Sequence, residues 1–291
     1  MEIAYHIGAN CTDGDRLLKS VLRNADALAA QGVAVPGPGR YRQVLREAIM
    51  ARARGEGAEG SREVLLDAIL DAREARRVVL SNSTFLALPA KIFDGGQIFG
   101  NAASKVAALR AIFPEDRVEL HIALRNPATW IPAVWGQAKG RPLDAFLGGA
   151  DPRAIAWSDL IGRLRASAPD MPLTVWCNED TPLIWGELLG RLGGVDGAAM
   201  AEGRWDLLSS IMSAEGLERF EKYMAQHPGQ TSVQERRVIG AFLDKYALPE
   251  ETWEEVDLPG WDEAMVEDLT RAYEADMGRI AAMDGVAFVQ P

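Results

Sequence analysis

Hydrophobic positions along the first 200 residues alternate between short β-like segments and repeats at helical spacing. The short segments have the length and composition of buried strands. They cover Glu2–His6, Arg77–Leu80, Val118–Leu124 and Leu173–Cys177. The clearest helical repeat consists of Leu17, Leu18, Val21, Leu22, Ala25 and Leu28. This alternation predicts strands and helices that follow one another along the chain.

Strands that alternate with helices are typical of a mostly parallel sheet with helices on both faces. The sequence therefore predicts an α/β fold of three layers, in one domain that spans residues 1–291. Residues 1–200 form its predicted α/β core. Residues 201–291 show almost no strand pattern and are predicted to be a mainly helical part of the same domain. The helical stretches lie near 204–225, 230–246 and 261–282.

The composition is that of a globular protein, since 48% hydrophobic and 25% charged residues exclude the disordered classes. No apolar run approaches the ~20 residues of a membrane span. The first residues also lack the pattern of a secretory signal. Two cysteines, Cys11 and Cys177, cannot form a disulfide scaffold, and three histidines are too few and too dispersed for a zinc site. We therefore expect a cytoplasmic protein with no membrane partner and no metal.

The net charge of −11 is concentrated in the last part of the chain. Residues 1–200 have 23 basic and 23 acidic side chains, whereas residues 201–291 have 8 basic and 19 acidic ones. Nucleic-acid binding depends on Lys and Arg that neutralise phosphates, so this balance predicts no nucleic-acid partner. Positions 13–54 hold eight basic side chains against four acids. These basic side chains, Arg40 and Arg42 among them, are either solvated or form a pocket for a small anion.

Four polar segments follow predicted strands, at the edge of a parallel sheet where ligands usually bind. These segments are 7–16, 81–84, 125–127 and 177–180. The first is a glycine-containing loop that opens a helix, and the backbone N–H groups of such a loop can hold phosphate. It contains neither the Gly-Lys-Ser/Thr of a Walker A motif nor a complete G-x-G-x-x-G. Asp13 and Asp15 either hold a metal-bound nucleotide sugar, as in D-x-D glycosyltransferases, or cap the helix.

Several short motifs resemble those of the P-loop-like sulfotransferases, especially bacterial ones. The matching residues are His6-Ile7-Gly8 with Thr12, Val79-Leu80-Ser81, Leu124-Arg125-Asn126-Pro127-Ala128-Thr129-Trp130 and Gly285-Val286-Ala287-Phe288. The resemblance implies sulfuryl transfer from 3′-phosphoadenosine 5′-phosphosulfate (PAPS), which leaves adenosine 3′,5′-bisphosphate (PAP). It also implies a small-molecule or glycan-type acceptor with a hydroxyl or amine. The positions that it assigns to the nucleotide are Gly8, Cys11, Thr12, Asp13, Gly14, Arg125 and Ala133.

Five positions differ from the family pattern in ways that bear on catalysis. Cys11 occupies the position of a lysine that meets negative charge on the leaving phosphate. Asp13 replaces a glycine, and Gly14 and Asp15 replace two hydroxyl residues. Ala133 replaces a serine that contacts the 3′-phosphate. Two functions therefore stay open: a sulfotransferase with a degenerate PAPS site, or an inactive pseudoenzyme that binds a ligand, a protein partner or a second copy of itself.

Three side chains are candidates for the chemistry. His6 ends the first predicted strand, where it is either a catalytic base or a core histidine. Arg16, one helical turn before Lys19, could replace the missing lysine. Glu179, beside Asp180, could accept the proton of an acceptor hydroxyl, or it could cap the helix that follows.

Overall fold

A six-stranded sheet with all strands parallel forms the centre of the protein. The computed structural model describes residues 1–56, 61–70, 74–138, 140–197, 200–252, 256 and 258–291. The strands are β1 (Glu2–His6), β2 (Val33–Ala34), β3 (Arg77–Ser81), β4 (Arg117–Leu124), β5 (Leu173–Cys177) and β6 (Val286–Val289). The predicted α/β class is confirmed.

Helices connect the strands and cover both faces of the sheet, which gives three layers. In the first half of the chain they are α1 (Arg16–Arg23), α2 (Ala25–Ala29), α3 (Pro38–Ala53), α4 (Ser61–Ile69), α5 (Ala102–Ile112) and α6 (Pro127–Gln137). In the second half they are α7 (Leu143–Leu147), α8 (Trp157–Ser167), α9 (Thr181–Gly193), α10 (Asp206–Ile211), α11 (Ala214–Gln226), α12 (Ser232–Tyr246), α13 (Pro249–Thr252) and α14 (Glu263–Ala281). Within the described ranges, each helix is too short or too polar to cross a membrane.

The order of the strands in the sheet is β2-β3-β1-β4-β5-β6. From β1 the chain moves outward to β2, returns through β3, and then passes over β1 to β4. The connection that leaves β1 therefore runs toward β2, whereas those that leave its neighbours β3 and β4 run in the opposite direction. Ligands of parallel α/β sheets bind at such a reversal, beyond the carboxyl ends of the strands. The loop after β1 lies at this switch point.

Each face of the sheet has its own apolar core. One core includes Ile3 and Tyr5 of β1 together with Trp130 of α6 and Trp157 of α8, whose rings lie 4.7 Å apart. The opposite core includes Ala4 of β1 and apolar residues of α1 and α9. Successive side chains of a strand point to opposite faces, so β1 contributes to both cores and is buried in the middle of the molecule.

The helix predicted around Leu17–Leu28 is divided into α1 and α2. Asn24 separates the two helices and has a non-helical backbone conformation. Its side-chain amide donates to the carbonyl oxygens of Ser20 (2.9 Å) and Glu202 (2.6 Å). The break therefore depends on a contact with a segment far along the chain, which a local pattern cannot show.

The prediction of a mainly helical part over residues 201–291 is confirmed by α10–α14, but this part also contains one strand that has no clear sequence pattern. β6 extends the sheet beyond β5, and Leu173 of β5 pairs with Val286. The four residues of β6 follow Gly285, which has φ +74° and turns the chain after α14. In the first half of the chain, α4 ends at Ile69, and positions 71–73 lie outside the described residues.

Candidate functional site

The loop after β1 remains paired with β4 beyond the last residue of the strand. The N–H of Ala9 donates to Ala123 O (3.0 Å), and the N–H of Ala123 donates to Gly8 O (2.7 Å). Gly8 has φ +111°, and a Cβ at this position would lie 2.9 Å from the carbonyl oxygen of Ser83. This conformation and this close approach require glycine. Gly8 thus sets the path of the loop.

The loop presents backbone N–H groups immediately before α1. In the described part of the chain, no acceptor binds the peptide N–H groups of Thr12, Asp13, Gly14 and Asp15. The following N–H groups are satisfied within the loop, since Arg16 donates to Asp13 O (3.0 Å) and Leu17 donates to the Asp13 carboxylate (3.1 Å). Successive N–H groups at a helix start are an anion-binding arrangement.

Asp15 is turned away from the loop and onto α3. Its two carboxylate oxygens accept hydrogen bonds from the Arg42 guanidinium at 2.9 and 2.7 Å. These hydrogen bonds raise the pKa of Arg42 above its usual value. Arg42 also donates to Ser81 O (2.9 Å), which accepts the Tyr41 hydroxyl as well (2.8 Å). Arg42, one of the basic side chains suggested for a small-anion pocket, is therefore occupied in holding the loop to α3 and β3.

The contacts of the Asp13 and Asp15 carboxylates disfavour the hypothesis that these two side chains hold a metal-bound nucleotide sugar. Asp15 is paired with Arg42 through both oxygens, and one oxygen of Asp13 accepts the N–H of Leu17. Asp13 and Asp15 thus act as helix-capping and loop-fixing side chains. Among the residues that the structure describes, no group of three or more His, Cys, Asp or Glu side chains is arranged to hold a metal ion.

A cleft of about 550 Å³ opens beside the loop. Its described lining residues are Cys11, Thr12, Gly14, Arg125, Thr129, Pro132, Ala133, Gln137 and Val256. Five of the positions predicted to bind the nucleotide therefore lie at one cleft: Cys11, Thr12, Gly14, Arg125 and Ala133. The other two are not part of this lining, because Gly8 packs against Ser83 and Asp13 caps α1.

Arg125 provides a positive charge in this cleft and is only 8% exposed. Its Nη1 donates to Cys11 O (2.5 Å), and its Nε donates to Thr129 Oγ1 (3.1 Å). The indole N–H of Trp157 donates to the carbonyl oxygen of Arg125 (3.0 Å). The side chain thus joins the loop after β1 to the loop after β4.

The sequence interpretation missed Thr129 and Gln137 as lining residues. Both lie on α6, at intervals of four positions from Ala133, and therefore on the same helix face. This spacing of four positions is the sequence signal that could have identified Thr129 and Gln137 as lining residues. Val256 also lines the cleft, but it comes from a distant segment that no local pattern links to α6.

Two of the candidate catalytic residues lie elsewhere. His6 is 0% exposed; its Nδ1 is 3.0 Å from Ser81 Oγ and its ring stacks on Trp176. Arg16 begins α1 and is exposed, as is Lys19. Neither His6 nor Arg16 belongs to the described lining of the cleft. Their catalytic roles stay predictions.

Glu179, the third candidate, lies two residues after the end of β5, in a polar cluster. Its Oε1 accepts the N–H of Asn126 (2.8 Å), and its Oε2 accepts the hydroxyl of Tyr273 (2.9 Å). Burial raises the pKa of the neighbouring Cys177 thiol to about 11, so the thiol is protonated. Burial and the Glu179 charge also raise the pKa of Asp180. Sequence reasoning did not anticipate the contact with Tyr273.

The cleft at the switch point, with its N–H groups and Arg125, is the candidate functional site. Its geometry suits a ligand with negative charge near both loops. Comparison with protein-family models, with curated proteins and with solved structures finds no match to this chain. The resemblance to sulfotransferases therefore stays a prediction from the short sequence motifs.

Proposed function

We propose that this chain binds a phosphorylated nucleotide of the PAP class in the cleft. The observation behind the proposal is that Thr12 and Gly14, whose N–H groups donate to no acceptor among the described residues, and Arg125 line one cleft at the switch point. N–H groups before a helix bind anions, and a guanidinium forms strong hydrogen bonds with phosphate. The choice of a nucleotide rests on the sequence resemblance to sulfotransferases.

The residues present fit such a ligand in size and charge. A cleft of about 550 Å³ lies within the range of small-molecule sites, which is about 300–1,000 Å³. The loop would contact one phosphate through backbone N–H groups, and Arg125 would contact another. Thr12 and Thr129 add hydroxyl groups to the lining. These residues supply binding and orientation.

Sulfuryl transfer to a hydroxyl or amine acceptor is the reaction that we propose for an active form of this site. PAPS supplies the sulfuryl group, and negative charge develops on the phosphate that leaves. Of the described lining residues, only Arg125 has a positive charge, and the lysine position of the loop is Cys11. One missing cation of this kind costs ~3 kcal/mol of transition-state stabilisation, or about a hundredfold in rate. We therefore propose that sulfuryl transfer from PAPS at this site is slow.

The second candidate function is an inactive protein that retains nucleotide binding. It is favoured by the state of the loop, where Asp13 caps α1 and Asp15 is fixed by Arg42, so that neither offers a cation or a mobile base. The two candidates share the binding step. They differ in whether PAPS is turned over in the presence of an acceptor.

Calorimetric titration with PAP tests the binding step. We expect saturable binding that weakens as salt increases, because the contacts are charged. Arg125→Ala is expected to raise the Kd at least tenfold, the effect of losing one hydrogen bond to a charged group, about 1.5–3 kcal/mol. Arg117→Ala is the matched control, since Arg117 is an exposed arginine at the opposite end of β4. Absence of binding at about millimolar PAP, or equal Kd values for the two variants, would refute the proposal.

A further inference from the structure

Glu179 connects two parts of the chain beside the cleft. One carboxylate oxygen accepts the N–H of Asn126 (2.8 Å), and the other accepts the hydroxyl of Tyr273 (2.9 Å). The same hydroxyl lies 3.3 Å from the carbonyl oxygen of Leu124. Burial, together with the Glu179 charge, raises the pKa of Tyr273 far above its usual value, so the hydroxyl stays protonated and donates. Both oxygens of Glu179 are thus engaged at the corner between β4 and α6.

The backbone of that corner, residues 124–126, is fixed at each position. Tyr273 contacts the carbonyl of Leu124, Trp157 donates to the carbonyl of Arg125, and Glu179 accepts the N–H of Asn126. The Asn126 side chain adds a fourth link, because its Nδ2 donates to Thr270 Oγ1 (2.9 Å). Tyr273 and Thr270 both belong to α14. The C-terminal helix therefore meets the corner at two points.

We infer that Glu179 is a positioning residue for Arg125. Arg125 lies between two backbone groups that Glu179 and Tyr273 hold, and its guanidinium must reach Cys11 O across the cleft. A backbone shift at Asn126 would move that guanidinium, and displacements of about 1 Å are costly in a binding or catalytic site. A base for an acceptor hydroxyl has to face the bound ligand, whereas Glu179 is not among the described residues that line the cleft. The inference rests on the proposed function in that Arg125 meets the nucleotide.

Nuclear magnetic resonance of the full chain tests the positioning step without a ligand. Glu179→Gln removes the carboxylate charge, so the hydrogen bond that its remaining oxygen accepts from the Asn126 N–H is no longer charge-assisted, and its NH2 group faces the Tyr273 hydroxyl. We expect the Asn126 amide to exchange about tenfold faster and the Arg125 Nε–H resonance to move, as for the loss of a charge-assisted hydrogen bond. Tyr273→Phe is expected to shift the same resonances while keeping the buried ring. Glu274→Gln, which removes an exposed carboxylate beside Tyr273, is the matched control.

Titration of the same proteins with PAP then tests the effect on the site. We expect Glu179→Gln to raise the Kd about tenfold relative to Glu274→Gln, at the same melting temperature within about 2 °C. Exchange and resonances equal to those of Glu274→Gln overturn the inference. An altered Arg125 resonance with an unchanged Kd also overturns it. If the wild-type chain binds no PAP but its Asn126 and Arg125 signals respond to Glu179→Gln, the proposed function fails while the positioning role stands.

Discussion

His121 makes the stability of this protein sensitive to acid. Its imidazole is 3% exposed, and its Nε2 has no hydrogen-bond partner within the described ranges. Burial, with further contributions from Arg77, His6 and Arg191, lowers its pKa from 6.5 to about 3. Glu119 Oε2 lies 3.9 Å from Nε2 and is the opposing charge nearby. The folded protein therefore keeps this side chain neutral.

The sign and size of the pH effect follow from this shift. The unfolded chain binds a proton at His121 below about pH 6.5, whereas the folded chain does so only near about pH 3. The unfolded state thus holds more protons between these values, and the free energy of unfolding falls as the pH falls through this window. The stability that the neutral, buried His121 side chain contributes is fully present above about pH 6.5. Linkage gives a loss of about 2 kcal/mol from this one group between about pH 7 and pH 5.

Urea denaturation at these two pH values measures the effect. His121→Leu removes the titrating group and leaves no unpaired nitrogen. Between about pH 7 and pH 5, its free energy of unfolding should therefore decrease by about 2 kcal/mol less than the free energy of unfolding of the wild type. His227→Gln, which removes an exposed histidine immediately after α11, should behave like the wild type. The comparison is between pH values within each variant, so a uniform change in stability does not affect it. An equal loss in His121→Leu and the wild type would refute the reasoning.

Two further predictions concern the loop after β1. Asp15→Ala should lower the free energy of unfolding by about 1–2 kcal/mol, because it removes the paired hydrogen bonds with Arg42 and leaves a side chain that tolerates φ +64° poorly. Asp15→Gly should cost less, since glycine adopts that conformation freely; equal losses in urea denaturation would contradict this. Cys11→Lys restores a cation at the cleft and should lower the Kd for PAP about tenfold relative to the uncharged Cys11→Met. Equal calorimetric affinities of these two variants would contradict a phosphate site at the loop.

The sheet was predictable because its strands have local signals. β1, β3, β4 and β5 are short, mostly apolar segments, and each is largely buried on both faces. β6 was not predicted, since it has four residues, two of them only partly buried and one exposed. Its pairing with β5 brings together segments that are far apart in the sequence. A strand of this kind forms because it pairs with a neighbouring strand, and its local sequence does not indicate it.

The parts of the site that follow the ends of strands could be predicted from the sequence. The rule for parallel sheets and the family motifs together indicated the loop after β1 and Arg125. The partners of the charged side chains could not be predicted, because they are tertiary contacts: Arg42 is 27 positions from Asp15, and Tyr273 is 94 positions from Glu179. These tertiary contacts matter for the site, because they engage the carboxylates of Asp15 and Glu179.

The most direct test of the proposed function is to follow the loop and Arg125 by nuclear magnetic resonance as PAP is added. We expect the amide resonances of Thr12, Asp13, Gly14 and Asp15 and the Arg125 Nε–H resonance to shift together along one saturation curve. Adenosine, which has no phosphate, should leave the loop amides unchanged at the same concentration. Loop and Arg125 resonances that stay in place up to about millimolar PAP, or that respond equally to adenosine, would contradict the account.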